Sequence, residues 1–161
     1  MYHRVDNHMI LSSMTEKSAR LLFPLFREDI AELVRWFGFD VSFSMESEMQ
    51  YLAERVLPYD DAIIVHWDGI PCGRIGIYDF DEDNHSIFLY YWVSSRYRRI
   101  GIARNSIRAA LDFLRSIGIQ EVLFDVDRDN LPSVNLLESL PGVFVKDGDH
   151  EKYVIYAVKL V

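Results

Sequence analysis

Cysteine is almost absent from this 161-residue chain, and long apolar runs are lacking. With Cys72 as the one cysteine, no internal disulfide can form, which is typical of proteins in a reducing compartment. No stretch approaches the roughly 20 apolar residues that a membrane-spanning helix needs. Residues 1–13 have neither the basic-then-apolar order of a signal peptide nor the Arg-rich character of a transit peptide. The sequence therefore predicts a soluble, cytosolic (cytoplasmic) protein with no membrane partner.

Positive charge is also scarce. The chain has 17 Lys and Arg residues against 25 Asp and Glu residues, which gives a formal net charge of −8. A general nucleic-acid binder needs a basic face for the phosphates, so no nucleic-acid partner is expected. The five histidines have no metal-ligand spacing among themselves or with Cys72, so no metal is expected either.

The rest of the composition is that of an ordinary globular protein. Half of the residues are hydrophobic and 26% are charged. A chain of this length can bury a sizeable core, and it has no repeats, low-complexity tracts or linker-like stretches. We therefore expect one domain that spans residues 1–161.

The chain begins with an expected strand and an expected helix. The short apolar segment Ala19–Pro24 indicates a strand. Apolar residues at helical spacing predict an amphipathic helix over Glu28–Phe37, with Gly38 as its natural end.

A second helix is expected to begin near Ser44 or Ser47. Ser47 and Gln50 have the spacing of a capping box, and Pro58 is expected to end the helix. The apolar stripe of this helix consists of Met49, Leu52, Ala53 and Val56.

Strands follow. A hairpin is predicted for Ala62–Tyr78, because Asp68-Gly69 supplies the positive φ angles of a tight turn between two apolar runs. The acidic segment Asp79–His85 is expected to be a loop. Ile87–Val93 is apolar throughout, which is typical of a central strand covered on both faces.

The second half of the chain alternates helices and strands. Helical spacing predicts a long helix over Ile102–Ile117, then a strand over Glu121–Asp127 and a short Asn-capped helix over Asn130–Leu140. Val143–Lys146 and Tyr153–Leu160 are the last two expected strands. The order β-α-α-β-β-β-α-β-α-β-β predicts a mixed α/β (α+β) sheet, in which one strand-helix-strand unit implies a parallel pair.

Five arginines lie within 13 positions, where the apolar strand gives way to the long helix. They are Arg96, Arg98, Arg99, Arg104 and Arg108. A helix start leaves backbone N–H groups without partners and carries about half a positive charge. Gly101 permits a tight turn that aims consecutive N–H groups at a phosphate, and Ala103 is too small to block it. The sequence thus predicts one basic anion-binding turn on an acidic protein.

Of two other phosphate-binding motifs, a dinucleotide fold is disfavoured and a Walker phosphate loop is excluded. The G-x-G-x-x-G spacing of a dinucleotide fold is absent, and the basic turn does not lie in a first β-α-β unit. No Gly-Lys-Ser/Thr sequence occurs, so there is no Walker phosphate loop.

The basic turn resembles the hallmark of the GCN5-related N-acetyltransferase (GNAT) superfamily. That hallmark is Gln/Arg-x-x-Gly-x-Gly/Ala after the fourth strand, and Arg98, Gly101 and Ala103 match it. A second match follows the family's V-x-x-x-N-x-x-A/S-x-x-L-x-E segment and consists of Val126, Asn130, Ser133, Leu136 and Glu138. The resemblance covers about residues 62–160, and a fainter one to the ribosomal-protein and polyamine acetyltransferase branch lies in Leu22–Leu25 and Glu28–Ile30.

The resemblance implies a GNAT-like acyl-CoA N-acyltransferase fold and acetyl-coenzyme A (acetyl-CoA) as acyl donor, without a metal. In the family the amides of the turn hold the pyrophosphate, and the pantetheine arm lies between the splayed fourth and fifth strands. An amine then attacks the thioester directly in a ternary complex. The implied cofactor-binding residues are Tyr91, Trp92, Val93, Arg98, Arg99, Ile100, Gly101, Ile102, Ala103, Arg104, Asn130, Ser133 and Asn135.

Two departures from the family pattern bear on catalysis. Many members have Tyr before the glutamate of the second segment as thiolate proton donor, whereas this chain has Leu137. Ser133, one helical turn earlier, is the nearest hydroxyl that the resemblance places near the sulfur. The usual Gly-Phe after that helix becomes Pro141-Gly142-Val143-Phe144. The alternatives are a non-catalytic acyl-CoA-binding or sensing module and a transferase that uses a longer acyl donor.

No residue stands out as the general base. Asp125 and Asp127 share a strand face and are interpreted as solvated carboxylates, and His85 as a surface histidine. Trp36, Phe37 and Phe39 are candidates for a pocket wall, but core packing is favoured for Phe37. The amine acceptor, peptide or small molecule, stays open, as does the oligomeric state, a homodimer included.

Overall fold

The computed structural model describes residues 2–38, 42, 44–56, 61–146 and 151–160. By contacts the chain divides into two compact units, which are described separately. The first consists of Met1–Gly76 and Tyr91–Ser106, and the second of Ile77–Tyr90 and Ile107–Val161.

Eight strands are found in the described part of the chain, hydrogen-bonded in the order β1-β2-β3-β4-β5-β6-β8-β7. Their bounds are β1 Tyr2–Arg4, β2 Met9–Ser13, β3 Ala62–Trp67, β4 Ile70–Asp81, β5 Ser86–Val93, β6 Glu121–Asp127, β7 Val143–Lys146 and β8 Tyr153–Lys159. Strands β5 and β6 are parallel, and β6 and β8 are antiparallel. The predicted mixed α/β sheet and its parallel pair are confirmed.

Five α-helices occur among the described residues: α1 Glu16–Glu28, α2 Ile30–Phe37, α3 Met45–Tyr51, α4 Ile102–Ser116 and α5 Leu131–Glu138. A five-residue π-helical stretch, Leu52–Val56, continues α3, and a short 3₁₀ turn, Ser95–Tyr97, precedes α4.

In the first unit, α1, α2 and α3 contribute to an apolar core with β3 and the end of β5. Phe26 of α1 stacks on Trp92 of β5 with ring centroids 4.3 Å apart. Beside them lies a buried ion pair, in which Arg74 Nη1 donates to Glu48 Oε1 at 2.8 Å. Burial raises the pKa of Glu48, and the nearby Arg74 offsets part of that rise.

The strand predicted for Ala19–Pro24 is wrong, because these residues lie inside α1. Thr15 caps the helix and forms a reciprocal capping box with Ser18. Ala19, Leu22 and Phe26 are buried at helical spacing. A six-residue apolar window is too short to distinguish a strand from one face of a helix.

Strands β1 and β2 were not expected, so the predicted element order is wrong at its start. The observed order is β-β-α-α-α-β-β-β-α-β-α-β-β. In β2, Met9 and Leu11 are buried and alternate with less buried residues, and β2 pairs antiparallel with β3.

The helix predicted for Glu28–Phe37 is confirmed, with its first residue at Ile30 and a left-handed Gly38 at its end. The next helix begins after Ser44, as predicted. Its capping box joins Ser44 and Ser47, so the pairing predicted for Ser47 is wrong. The expected stop at Pro58 lies outside the described residues.

The predicted hairpin is confirmed. Its turn residues Asp68 and Gly69 have φ angles of 50° and 80°. Register runs from Trp67 opposite Ile70 to Val65 opposite Gly73, and the extra residue Cys72 forms a β-bulge. Strand β4 continues to Asp81, so the loop predicted over Asp79–His85 is wrong in its first three residues.

The second unit centres on β6, which lies between β5 and β8. The expected strand Glu121–Asp127 is confirmed, and α4 ends at Ser116, one residue before the predicted end. Helix α5 ends at Glu138 because the chain turns at Ser139, two residues before the predicted Leu140. The turn expected at 147–149 lies outside the described residues.

Candidate functional site

The end of β5 leads into the basic turn, within the first unit. Trp92 is buried against Phe26, whereas Tyr91 is half-buried. The carbonyl oxygen of Val93 accepts a hydrogen bond from Arg98 Nε at 2.9 Å. The last residue of the strand is thus tied to the turn that follows it.

Residues 94–97 form a tightly bonded segment. Each of their backbone N–H groups donates to a partner within the first unit: Ser94 to the Cys72 carbonyl at 2.9 Å, Ser95 to Asp29 Oδ2 at 2.8 Å, Arg96 to Ser94 Oγ at 3.4 Å and Tyr97 to the Ser94 carbonyl at 2.9 Å. Because every donor is used, this segment has a defined conformation.

Arg98 does not extend toward solvent as an isolated cation. Its Nη1 lies 2.8 Å from Glu32 Oε2, and its Nη2 lies 3.4 Å from Asp29 Oδ2. The side chain therefore joins the turn to α2, with about a third of its surface exposed.

In the turn itself, residues 99–103, the first three residues are exposed and Ile102 is buried. Arg99 and Gly101 have left-handed φ angles of 64° and 85°. The first hydrogen bond of α4 runs from the N–H of Asn105 to the carbonyl of Gly101 at 3.0 Å. No hydrogen bond among the described residues uses the N–H groups of Arg99, Ile100, Gly101, Ile102 or Ala103. Consecutive unused donors at the positive end of a helix, here one of 15 residues, are an arrangement that binds anions such as phosphate in proteins.

The positive charge of this region is smaller than the sequence suggests. Four arginines of the cluster lie in the first unit: Arg96, Arg98, Arg99 and Arg104. Arg96 pairs with Glu28, and Arg98 pairs with Asp29 and Glu32. Four positive and three negative charges leave this group with a net charge of +1.

In the second unit, β5 and β6 pair over only three residues. The pairs are Ser86 with Glu121, Ile87 with Val122 and Phe88 with Leu123. On its other side β6 pairs with β8 over all seven of its residues. Within this unit the pairing of the two parallel strands therefore ends at Phe88.

The start of α5, also in the second unit, holds the other predicted residues. Asn130 caps the helix, and its Oδ1 accepts from the N–H of Ser133 at 3.3 Å. Ser133 is half-buried and Asn135 is exposed. Leu137 is fully buried, so it is a core residue that shares the Ser133 face of the helix.

The structure thus assembles the predicted residues in two groups. Tyr91–Val93 and Arg98–Arg104 lie together in the first unit, and Asn130, Ser133 and Asn135 lie together in the second. Asp29 and Glu32, which anchor the turn, were missed. The sequence relates Glu28–Ile30 only to a faint family resemblance. No local pattern indicates that Asp29 bonds to Ser95, 66 positions later in the chain.

Residues 28–140 match the model of the acetyltransferase (GNAT) family, which is more than two thirds of the chain. The chain belongs to the GNAT acetyltransferase family. The predicted GNAT membership is confirmed, and the protein is a member of a family of acetyl-CoA-dependent enzymes. A comparison with curated proteins gives no match.

Solved structures show the same GNAT fold. RimL, a ribosomal L7/L12 alpha-N-protein acetyltransferase solved in complex with coenzyme A, superposes with a TM-score of 0.88 at 16% identity, over 99% of this chain and 98% of that one. Spermidine N-acetyltransferase from Vibrio cholerae, solved with coenzyme A and spermine, has a TM-score of 0.80 at 12% identity, over 96% and 97%. RimJ from Mycobacterium smegmatis, in complex with a CoA-disulfide, has a TM-score of 0.78 at 19% identity, over 94% and 81%. At these identities the likeness establishes the fold alone.

The two carboxylates of β6 and the imidazole of His85 differ in their exposure. Asp125 is exposed, but Asp127 is buried, accepts the N–H of Asp129 at 2.9 Å and pairs with Lys152 at 3.3 Å. The interpretation of Asp127 as a solvated carboxylate is therefore wrong. His85 is exposed in a turn, as predicted.

The aromatic residues of α2 are only partly in the core. Phe37 is 39% exposed, so the expectation of core packing is wrong for it. Trp36 lies under the guanidinium of Arg35, at 4.2 Å from the ring centroid. Phe39 lies outside the described residues.

The described residues contain neither a metal-binding cluster nor a helix that could cross a membrane. No group of three or more His, Cys, Asp and Glu side chains there could hold a metal ion. Among the helices of that same part of the chain, none is long and apolar enough to cross a membrane.

Proposed function

We propose that this GNAT protein transfers the acetyl group of acetyl-CoA to a primary amine, by direct attack within a ternary complex. The observation that carries the proposal is the turn at residues 99–103. Its five unused N–H groups lie at the start of α4, and the five residues 94–98 connect them to the end of β5.

The residues present fit the phosphates of coenzyme A. The N–H groups of Arg99–Ala103 would hold the pyrophosphate, because Gly101 adds no side chain where the ligand must approach. The exposed Arg99 and Arg104 would supply the charge. Strand β5, unpaired with β6 after Phe88, would hold the pantetheine arm. On the second unit, Asn130, Ser133 and Asn135 would line the donor.

Acetyl-CoA supplies an activated acyl group as a thioester. The amine nitrogen attacks the carbonyl carbon, the C–N bond forms, the C–S bond breaks and the amine proton is released. A backbone N–H of β5 would stabilise the oxyanion, and the Ser133 hydroxyl would return a proton to the sulfur.

An acyl-enzyme route through cysteine is disfavoured. Cys72, the one cysteine of the chain, is fully buried, and burial raises its pKa to about 12. A thiol in this state is a poor nucleophile. This supports direct transfer to the amine.

The first test is stabilisation by ligands. At a hundredfold excess over Kd, acetyl-CoA should add about 2.7 kcal/mol to the free energy of unfolding, which is several degrees in Tm. NAD and ATP should give much smaller shifts. The absence of a shift at millimolar acetyl-CoA would contradict the donor assignment.

The second test is turnover. A panel of amines should include an N-terminal peptide and spermidine, because RimL and the Vibrio cholerae enzyme are described as acting on such groups. Acetylation of any amine in the panel, detected by free thiol release and by mass, would identify the acceptor class.

One observation favours a second candidate, a non-catalytic acyl-CoA sensor. Leu137 replaces the hydroxyl that many GNAT enzymes place there, and it is fully buried. A sensor would be stabilised by acetyl-CoA but would release no thiol with any amine. A third candidate is a transferase for a longer acyl group. In competition binding it would prefer a longer acyl-CoA to acetyl-CoA, whereas the first two candidates would prefer acetyl-CoA.

A further inference from the structure

The carboxylate of Asp29 accepts hydrogen bonds from a distant segment of the chain and not from the helix that follows it. Asp29 lies at the junction of α1 and α2, in the position where an Asp side chain commonly caps the following helix. Here the side chain makes no cap hydrogen bond to α2. Its oxygens accept instead from Ser95, 66 residues further along the chain.

The contacts between Asp29 and Ser95 are short, and they join a buried carboxylate to an exposed serine. Oδ2 of Asp29 accepts the Ser95 N–H at 2.8 Å, and Oδ1 accepts the Ser95 hydroxyl at 2.6 Å. The Asp29 side chain is only 4% exposed. Hydrogen bonds to a charged, buried acceptor are among the stronger ones in proteins, so this pair fixes the first residue of the 3₁₀ turn.

Arg98 extends the same network to the far end of the segment. Its guanidinium contacts Asp29 and Glu32 of the first unit, and its Nε donates to the carbonyl of Val93. The Arg98 side chain thus joins the two ends of the segment from Val93 to Arg98. Asp29, the N-cap residue of α2, contacts this segment at Ser95 and at Arg98.

The next residues are those of the anion-binding turn. Because the N–H groups of Ser94 to Tyr97 already have acceptors in the first unit, the donors available to a ligand lie after Tyr97. The direction of these N–H groups depends on the position of the Arg98 backbone. The contacts of Asp29 with Ser95 and Arg98 determine that position.

We infer that Asp29 is a positioning residue for phosphate capture: it holds Ser95 and Arg98 so that the amides of Arg99–Ala103 are pre-organised for the pyrophosphate of the donor. This inference rests on the proposed function. Asp29 itself does not contact the ligand, and its negative charge by itself disfavours an anion nearby.

The negative charge of Asp29 lowers the affinity for coenzyme A, whereas its positioning of the turn raises that affinity. Removing the charge therefore distinguishes the two effects. If Asp29 acted only through its charge, Asp29→Asn would tighten the binding of coenzyme A. If Asp29 positions the turn, the same variant weakens binding, because the Asn amide cannot accept from both Ser95 donors and Arg98. We expect the Kd for coenzyme A to rise about tenfold or more.

The matched control is Glu28→Gln. It removes the same charge from the adjacent residue, whose partner is the exposed Arg96. Exposed ion pairs contribute little, so its Kd should stay within about twofold of the parent value. Ser95→Ala, which removes the hydroxyl but keeps the N–H, is the milder variant and should raise Kd by about twofold to fivefold.

The decisive measurement compares two acetyl donors in steady-state kinetics. For Asp29→Asn and Ser95→Ala, KM for acetyl-CoA should rise while kcat and the acceptor KM stay close to the parent values. With acetyl-pantetheine, which lacks the pyrophosphate and the nucleotide, kcat/KM should be the same as for the parent. A merely structural role would lower kcat/KM equally with both donors.

Three outcomes would overturn the inference: tighter or unchanged coenzyme A binding in Asp29→Asn, an equal loss with both donors, or an equal loss in Glu28→Gln. If Asp29→Asn does not fold, Ser95→Ala is subject to the same criteria. If the parent protein itself binds no coenzyme A, the proposed function fails and this inference fails with it.

Discussion

Gly73 of β4 lies so close to Trp92 of β5 that a Cβ atom at position 73 would be 2.7 Å from the Trp92 carbonyl oxygen. The same atom would be 3.2 Å from Cγ2 of Val93 and 3.3 Å from its Cα. Only glycine allows this separation of the two strands. The close approach brings β4 against Trp92 and Val93, the last two residues of β5.

Gly73→Ala should therefore move β5. Because the new methyl group meets backbone atoms, which cannot rotate away, we expect a loss of about 1–3 kcal/mol in the free energy of unfolding. We also expect weaker coenzyme A binding in isothermal titration. The control is Gly118→Ala, a position with a left-handed φ of 94° and no atom within 4 Å of the new Cβ. It should lose about 1–2 kcal/mol of stability with no change in affinity; equal affinities in both variants would contradict the prediction.

Gly101→Val should weaken coenzyme A binding at least tenfold, and more than Arg104→Ala does. A Cβ at position 101 would meet only Asn105 Nδ2, at 3.7 Å, so the penalty comes from the left-handed φ of 85° and not from a clash. A β-branched residue avoids that conformation, and the turn amides would lose their direction. Equilibrium binding of coenzyme A measures both variants. Wild-type affinity for Gly101→Val would mean that side chains, not amides, capture the phosphates.

Cys72 should be inert to thiol reagents in the folded protein. Burial raises its pKa to about 12, and its Sγ lies 3.4 Å from the Val65 carbonyl at the β-bulge. At pH 8 almost no thiolate forms, so alkylation by iodoacetamide should require unfolding. Mass spectrometry with and without urea gives the measurement, and rapid labelling of the native protein would show that the bulge opens.

The buried Glu48 should give stability an unusual pH dependence. Burial raises its pKa above the ordinary value of 4.5, so the folded state keeps this proton to a higher pH than the unfolded chain does. Over that window the folded state binds more protons, and the contribution of Glu48 to stability is lost as the pH rises.

Glu48→Gln lacks this titration. The difference in free energy of unfolding between the parent and Glu48→Gln should therefore fall as the pH rises from about 4, and then level off once the folded pKa has been passed. Urea unfolding at a series of pH values checks this. An increase with pH would mean that Arg74 outweighs desolvation and lowers the pKa.

Ser133→Ala tests the proton donor. General-acid assistance is typically about 10²–10⁴-fold, so turnover should fall at least tenfold while the Kd for acetyl-CoA stays nearly unchanged. Ser139→Ala at the end of the same helix is the matched control, since the Ser139 hydroxyl donates to the Leu136 carbonyl. Unchanged turnover would assign the proton to water or to another hydroxyl, such as that of Tyr90 or Tyr153.

Leu137→Tyr in the Ser133→Ala background is not expected to restore turnover. The sequence suggested that a tyrosine at this position would act as the family's proton donor. Leu137 is fully buried, however, and a larger side chain there overpacks the core.

Periodic segments were predictable because their patterns are long. The apolar run of β5 extends over seven residues, and the helical spacing of α4 extends over about four turns. For both elements the predicted bounds differ from the observed ones by one residue at most. Ala19–Pro24 failed because the window was too short to show the period of α1. Strand β1 has three exposed residues, Tyr2–Arg4, and no hydrophobic signal could have revealed it.

The site was predictable where its chemistry is local. Gly101 and the start of α4 lie within a few residues of each other, and the predicted turn is present. Arg98 was assigned to phosphate, but its side chain contacts Asp29 and Glu32, more than 60 residues earlier. Pairings of this kind depend on tertiary packing, which no spacing rule encodes.

Strand β5 lies in the middle of the strand order, yet from Leu89 onward the side that faces β6 behaves as the edge of a sheet. Such an edge accepts any extended chain, including a segment of another protein, and is a common starting point for aggregation. On β6, Asp125 is exposed beyond the last paired residue, Leu123. A charge at this position discourages pairing by apolar strands, which is one way in which proteins protect an edge from aggregation.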